Sequence, residues 1–81
     1  MIRLWINIPA VQKRFECKIP LSVSFQECIP YLNRLLEHHL DGDYQIPDDA
    51  WFLEESSGNR ISVQVTLSRQ NLRNGMSITI V

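Results

Sequence analysis

The sequence predicts an α+β fold: a mixed sheet of four to five strands with one main helix packed across one face. Three observations predict it. Residues 2–8 alternate Ile2, Leu4, Ile6 and Ile8 against Arg3, Trp5 and Asn7, the two-residue period of a half-buried strand. Phe25, Cys28, Ile29, Leu32, Leu35 and Leu36 recur at helical spacing. Met76, Ile78 and Ile80 then alternate inward again as a final strand.

The elements follow in order. Pro9-Ala10-Val11-Gln12-Lys13 turns the chain after the first strand, and a second alternation sets Phe15, Cys17 and Ile19 against Arg14, Glu16 and Lys18. Together these make an N-terminal hairpin. Ser24-Phe25-Gln26-Glu27 has the spacing of a capping box, with Ser24 as N-cap and Glu27 at N3. The helix is expected to end near Leu40, before Asp41-Gly42-Asp43. Pro30 lies past the first turn, where it deletes one backbone hydrogen bond. Either the helix kinks there, or it begins near Ile29 with Pro30 at a favoured early position.

Residues 41–49 read as a polar loop. Ala50-Trp51-Phe52-Leu53-Glu54 reads as the third strand, and Ser56-Ser57-Gly58-Asn59 turns it into a short fourth around Ile61 and Val63. From Gln64 to Leu72 the chain crosses over, with a one-turn helix that Thr66 or Ser68 is placed to cap. Asn74-Gly75 is the turn into the final strand. With the first and last strands side by side, this order is the β-grasp arrangement.

Bulk properties narrow the function classes. Eighty-one residues make one domain, and 44% apolar content suffices for one core without metal or disulfide staples. The net charge is −1, and no run of like charge exceeds a pair. Nucleic acid and anionic membrane are therefore not expected as main partners. Met1 to Ile6 already alternates like a strand, so no secretory signal is expected. No apolar stretch approaches the roughly 18 residues a membrane-spanning helix needs, so no membrane insertion is expected. Cys17 and Cys28 stand outside any CxxC arrangement, which fits a reduced, cytoplasmic chain.

Residues Thr66-Leu67-Ser68, Asn71-Leu72, Ile78, Ile80 and Val81 follow the order found at the end of ubiquitin. Ile29-Pro30-Tyr31-Leu32, placed ten residues after Ile19-Pro20, narrows the match, together with Trp51-x-Leu53, Gly58, Thr66-Leu67 and Asn74-Gly75. In these features the chain resembles the YukD/EsaB family, the small ubiquitin-like proteins of bacterial type VII (ESX-type) secretion systems. The same module occurs fused to the membrane protein EccD. The resemblance covers nearly the whole chain and implies a single ubiquitin-like domain over residues 1–81. It also implies a non-conjugated accessory or regulatory protein that docks non-covalently on membrane-embedded secretion components. Such a protein is cytoplasmic, and its attachment to the inner face of the membrane would run through that partner. Ubiquitin and the sulfur carriers of this fold act through a mobile C-terminal Gly-Gly, whereas this chain reads Ile80-Val81. Conjugation and sulfur transfer are therefore not expected unless a longer precursor exists.

No constellation points to catalysis. His38 and His39 are adjacent, about 100° apart on a helix, so they do not share a metal in simple fashion. They read as exposed histidines near a helix C-terminus, where positive charge is favoured. Asp41, Asp43, Asp48 and Asp49 lack the spacing of a calcium loop. Cys17 and Cys28 fall on inward positions and read as small buried hydrophobes. Glu27 is explained by capping. The glycines at 42, 58 and 75 are isolated in turns rather than gathered in a phosphate loop. The expectation is no enzyme, no cofactor and no metal.

Function is thus expected at a surface. One helix covers one face of the sheet and leaves the other open. Trp5 points outward on the first strand. The family's Trp-x-Leu pattern implies that Trp51 and Leu53 pack in the core, which turns Phe52 outward. Thr79 and Val81 flank them on the last strand. Trp5, Phe52, Thr79 and Val81 are therefore the candidate protein-binding residues, with Arg3, Arg14, Lys18 and Arg73 as a polar rim. Two alternatives stand beside this. Trp5 packs only on neighbouring Arg3 or Lys18 stems, or the register is shifted by one. Two other functions also compete: an interaction domain of an unrelated signalling or assembly complex, and a carrier with a modified terminus.

Overall fold

A computed structural model describes residues 1–39 and 44–81. Its elements run β1 (Ile2–Ile8), β2 (Lys13–Ile19), α1 (Phe25–His39), β3 (Phe52–Glu54), β4 (Arg60–Ile61) and β5 (Met76–Ile80). Short 3-10 turns occupy Pro9–Val11 and Leu67–Arg69. The five strands form one sheet in the order β2-β1-β5-β3-β4. The central pair β1 and β5 is parallel, with Ile6 opposite Ile78, and the other pairs are antiparallel. This is the expected β-grasp order, with the first and last strands adjacent.

Alternation fixes β1 as read: Leu4, Ile6 and Ile8 are fully buried, while Arg3 and Trp5 face out. The turn after it closes through Gln12, whose amide donates to the Pro9 carbonyl at φ 53°. The capping box forms as its spacing requires. The Ser24 amide donates to Glu27 Oε1 at 3.1 Å, and the Glu27 amide donates to Ser24 Oγ at 3.2 Å. Of the two readings of Pro30, the later start near Ile29 does not hold. α1 begins at Phe25 and carries Pro30 inside it. The Gln26 amide, without a partner in its own helix, donates to the Val63 carbonyl at 2.9 Å. The expected helix end at Leu40 and the Asp41-Gly42-Asp43 loop lie outside the described residues.

The crossing segment is held by backbone rather than by a side-chain cap. The Leu67 amide donates to Val23 and the Ser68 amide to Leu21, and Thr66 makes no capping bond. Gly75 meets the demand that an Asn-Gly turn makes on it. It sits at φ 82°, where only glycine is unstrained, and donates to the Arg3 carbonyl at 2.7 Å. Asn74 Oδ1 accepts the Arg3 amide at 2.9 Å, so the turn is pinned to the start of β1.

The core lies between α1 and one face of the sheet. It joins Phe25, Ile29, Leu32 and Leu36 to Leu4, Ile6, Ile78 and Ile80, with Leu67 as a plug. The loop before β3 contributes a member that its polar composition hid. Ile46 is buried, and Asn33 binds its backbone on both sides, accepting its amide at 2.7 Å and donating to its carbonyl at 3.3 Å. β3 corrects the sequence reading. It is shorter than Ala50–Glu54, and its register is shifted by one residue. Phe52 lies opposite Ile80 and Ile61, both buried, and residues directly opposite each other share a face. Phe52 is therefore fully buried and stacks on Phe25 with ring centroids 4.7 Å apart. Trp51, expected in the core, faces solvent instead.

Candidate functional site: the sheet face opposite the helix

Alternation sends the remaining side chains of every strand to the face that α1 leaves open. From β2 to β4 these are Arg14, Glu16 and Lys18, then Arg3, Trp5 and Asn7, then Ser77, Thr79 and Val81, then Trp51, Leu53 and Glu55, and finally Arg60. Residues 51 and 55 extend the β3 ladder beyond its strand. Trp51 and Val81 exchange amide-to-carbonyl bonds of 2.9 Å each, and the Glu55 amide donates to Ser77 at 3.0 Å.

Of the four candidate residues, Trp5, Thr79 and Val81 share this face, and Phe52 leaves it. Trp51 takes the place assigned to Phe52, and it is the residue that sequence reasoning missed. The signal was the run Ala50-Trp51-Phe52-Leu53, which is apolar at every position and so admits both registers. The pairing of Phe52 with Ile80 decides between them, and that contact joins residues far apart in the chain.

The face has two unlike halves. At one end Trp51 is 49% exposed, with Val81 at 59% beside it and half-buried Leu53 and Thr79 paired next to them. The Arg60 guanidinium lies 4.0 Å from the centroid of the Trp51 ring, a close cation–π contact. At the other end Trp5 is 36% exposed and has Arg14 at 5.4 Å from its ring. The cation over its ring is Arg14. Two strand spacings of about 4.8 Å and four residues of about 3.3 Å put the two tryptophans roughly 16 Å apart, so they form two patches.

Arg14 is the strap of the Trp5 half. Its guanidinium donates to both carboxylate oxygens of Glu55 at 3.2 Å and to Ser77 Oγ at 2.8 Å, tying β2 to β5 and to the residue that follows β3. Arg3 pairs with Glu16 at 3.5 Å. Lys18 and Arg60 form no ion pair among the described residues. Arg73, proposed for the rim, lines a separate hollow at the β5 end with Glu55, Ser56 and Asn74.

The reactive groups sit elsewhere. Cys17 and Cys28 are free and buried in the core. Burial pushes the Cys17 thiol up to about 12, aided by Cys28 and Glu16, and burial with Glu27 pushes Cys28 up to about 11. Both are neutral thiols at physiological pH. Cys28 also lines an apolar hollow of about 320 Å³ between β2 and α1, with Ile19, Pro20, Val23 and Tyr31. The His38 side chain is exposed, and that of His39 lies outside the described residues. Among the described residues no group of three or more His, Cys, Asp or Glu is placed to hold a metal ion, and no helix is long and apolar enough to cross a membrane.

No protein-family model matches the chain, and no curated protein matches it by sequence. Solved structures match by shape. A chain from the crystal structure of ATBAG1 in complex with HSP70 aligns with all of this chain at a TM-score of 0.70 and 17% identity. The present chain spans 40% of that chain's length. A chain from a structure concerning molecular mimicry of SUMO in DNA repair aligns with 99% of this chain and 89% of its own length, at a TM-score of 0.69 and 12% identity. At such identities the likeness bears on shape alone, and the shape agrees with the strand order, the parallel central pair and the single packed helix. The chain adopts the ubiquitin-like, β-grasp fold.

Proposed function

We propose that this domain works without catalysis, as a non-covalent protein-docking module whose working surface is the open sheet face. The observation that carries this reading is Trp51, a large apolar ring half exposed beside Val81 and Leu53 on a face that no other described element covers. Apolar clusters of this kind on small domains tend to mark interfaces, and tryptophan is among the side chains most enriched at their energetic centres. The thiols, buried and protonated, support the non-enzymatic part of the reading.

In its specific form, the partner is a membrane-embedded component of a type VII secretion system, and the domain is a cytoplasmic accessory subunit of the YukD/EsaB kind that forms no conjugates. The motif order from Ile19-Pro20 to Asn74-Gly75 supports this. The outward Trp51 departs from the core position that the family pattern implied. Affinity capture from native cells, with the chain intact and with Trp51→Ala, tests the proposal. Recovery of a secretion component by the intact chain alone is the expected result. Recovery of none, or equal recovery by both, would count against it. The similar chain solved in complex with HSP70 supports a second reading, a β-grasp interaction domain in an unrelated signalling or assembly complex. The same capture would then return a different partner with the same dependence on Trp51.

A further inference from the structure

We infer that the segment received by the Trp51 half of the open face is acidic, with one large apolar side chain set over Trp51, Leu53 and Val81 and a carboxylate directed at Arg60. This rests on the docking role of that face and adds the chemistry of its occupant. The argument begins with charge. Counting side chains, the face gathers four cations, Arg3, Arg14, Lys18 and Arg60, against two carboxylates, Glu16 and Glu55, in a chain whose net side-chain charge is −1. Glu16 and Glu55 offset Arg3 and Arg14, and Lys18 lies at the far corner, so the cation left over at the Trp51 half is Arg60.

The carboxylates on this face are already committed. Glu16 is paired with Arg3, and Glu55 takes two bonds from Arg14. Among the described residues Arg60, the cation at the apolar half, has no side-chain carboxylate partner, and its guanidinium is held over the Trp51 ring at 4.0 Å. A guanidinium that stacks on an aromatic ring keeps the edge carrying its five N–H donors clear of that ring. An incoming carboxylate meets those donors in the bidentate geometry that arginine favours, while an adjacent apolar side chain covers Trp51. A basic segment would instead bring like charge onto Arg60 beside a surface it must desolvate.

Lys18 supplies the internal control. It lies at the opposite corner, four strand spacings and four residues from Arg60, roughly 23 Å away. That exceeds the Debye length of about 8 Å at physiological ionic strength, so Lys18 contributes little to pairing at Trp51.

The test is an NMR titration of the isotope-labelled full chain at 0.15 M salt with two synthetic eight-residue peptides. Both carry the same Leu-Phe centre, one flanked by Glu and the other by Lys. The Glu peptide is expected to shift the Trp51 indole N–H and the Leu53 and Thr79 amides, and to bind about tenfold more tightly than the Lys peptide. Arg60→Glu should weaken the Glu peptide about fivefold, as expected for an exposed pair, while Lys18→Glu, an equal change in net charge, should alter it less than about twofold. Equal binding of both peptides at these signals, with Arg60→Glu indifferent, overturns the acidic assignment and leaves the docking face standing. Shifts confined to α1 overturn both. No shift with either peptide at millimolar concentration overturns the assignment, and the docking face is then judged by the Trp51→Ala capture.

Discussion

Phe52 and Trp51 are neighbours in sequence with opposite fates, and truncating each reads out the register directly. Phe52→Ala empties a site between Phe25, Ile61 and Ile80 and should destabilise the domain by about 3–5 kcal/mol in urea unfolding. Trp51→Ala removes a half-exposed ring and should cost less than about 1 kcal/mol. A reversal of that order would mean the register is shifted. The buried thiols give a second residue-level prediction. Ordinary thiols titrate near 9, whereas Cys17 and Cys28 are raised to about 12 and 11 by burial. Below pH 9 both states hold the protons, so the folded state loses nothing there. Above it the unfolded chain ionises first, and stability should fall between about pH 9 and 12. In a Cys17→Ala, Cys28→Ala variant, thermal melts across that range should lose this component of the decline. What was legible at this scale was each residue with an unambiguous neighbourhood. Ile2, Leu4, Ile6 and Ile8 have polar or outward residues between them and only one possible face. The run from Ala50 to Leu53 offers no such contrast. The strap from Arg14 to Glu55 joins residues 41 apart, and no local pattern announces it.

Helix α1 illustrates how an element can be readable at its start and not inside. Ser24 and Glu27 satisfy each other's amides, so Ser24→Ala should cost about 1 kcal/mol, measured by chemical denaturation. Pro30 is exposed and removes the bond its amide would have donated to the Gln26 carbonyl. Pro30→Ala restores that donor and should stabilise the domain, by up to about 3 kcal/mol if the full interior penalty applies. A loss of stability instead would show that Pro30 is selected for the helix geometry it imposes. The sequence left this proline between two readings because the capping box and the proline rule pointed to different starts. The box prevails because Phe25, at the first helical position, stacks on Phe52, and the Gln26 amide is taken up by Val63. Those contacts come from other elements. The same holds for Thr66, where backbone bonds to Val23 and Leu21 fix the turn without any help from its hydroxyl.

At the scale of the whole molecule, the division of labour follows from a single helix on a five-stranded sheet. One sheet face is spent on the core, and the other displays whatever alternation sends outward: two tryptophans, four cations and two paired carboxylates. The fold was legible because hairpin, capped helix and final strand each carry their own period, and few topologies accommodate that order. The open face was legible in location, and three of the four residues named for it lie on it. Its apolar centre was misplaced by one residue, since the decisive contact is the cross-strand pair of Phe52 and Ile80. The central claim is that this face, centred on Trp51, binds a protein partner. The most direct measurement is the affinity of the captured partner for the intact domain and for Trp51→Ala, taken with the melting temperature of each. The account predicts binding at least about tenfold weaker for Trp51→Ala, a loss of about 1.4 kcal/mol or more, with a nearly unchanged melting temperature. Unchanged affinity for a folded Trp51→Ala domain would contradict it.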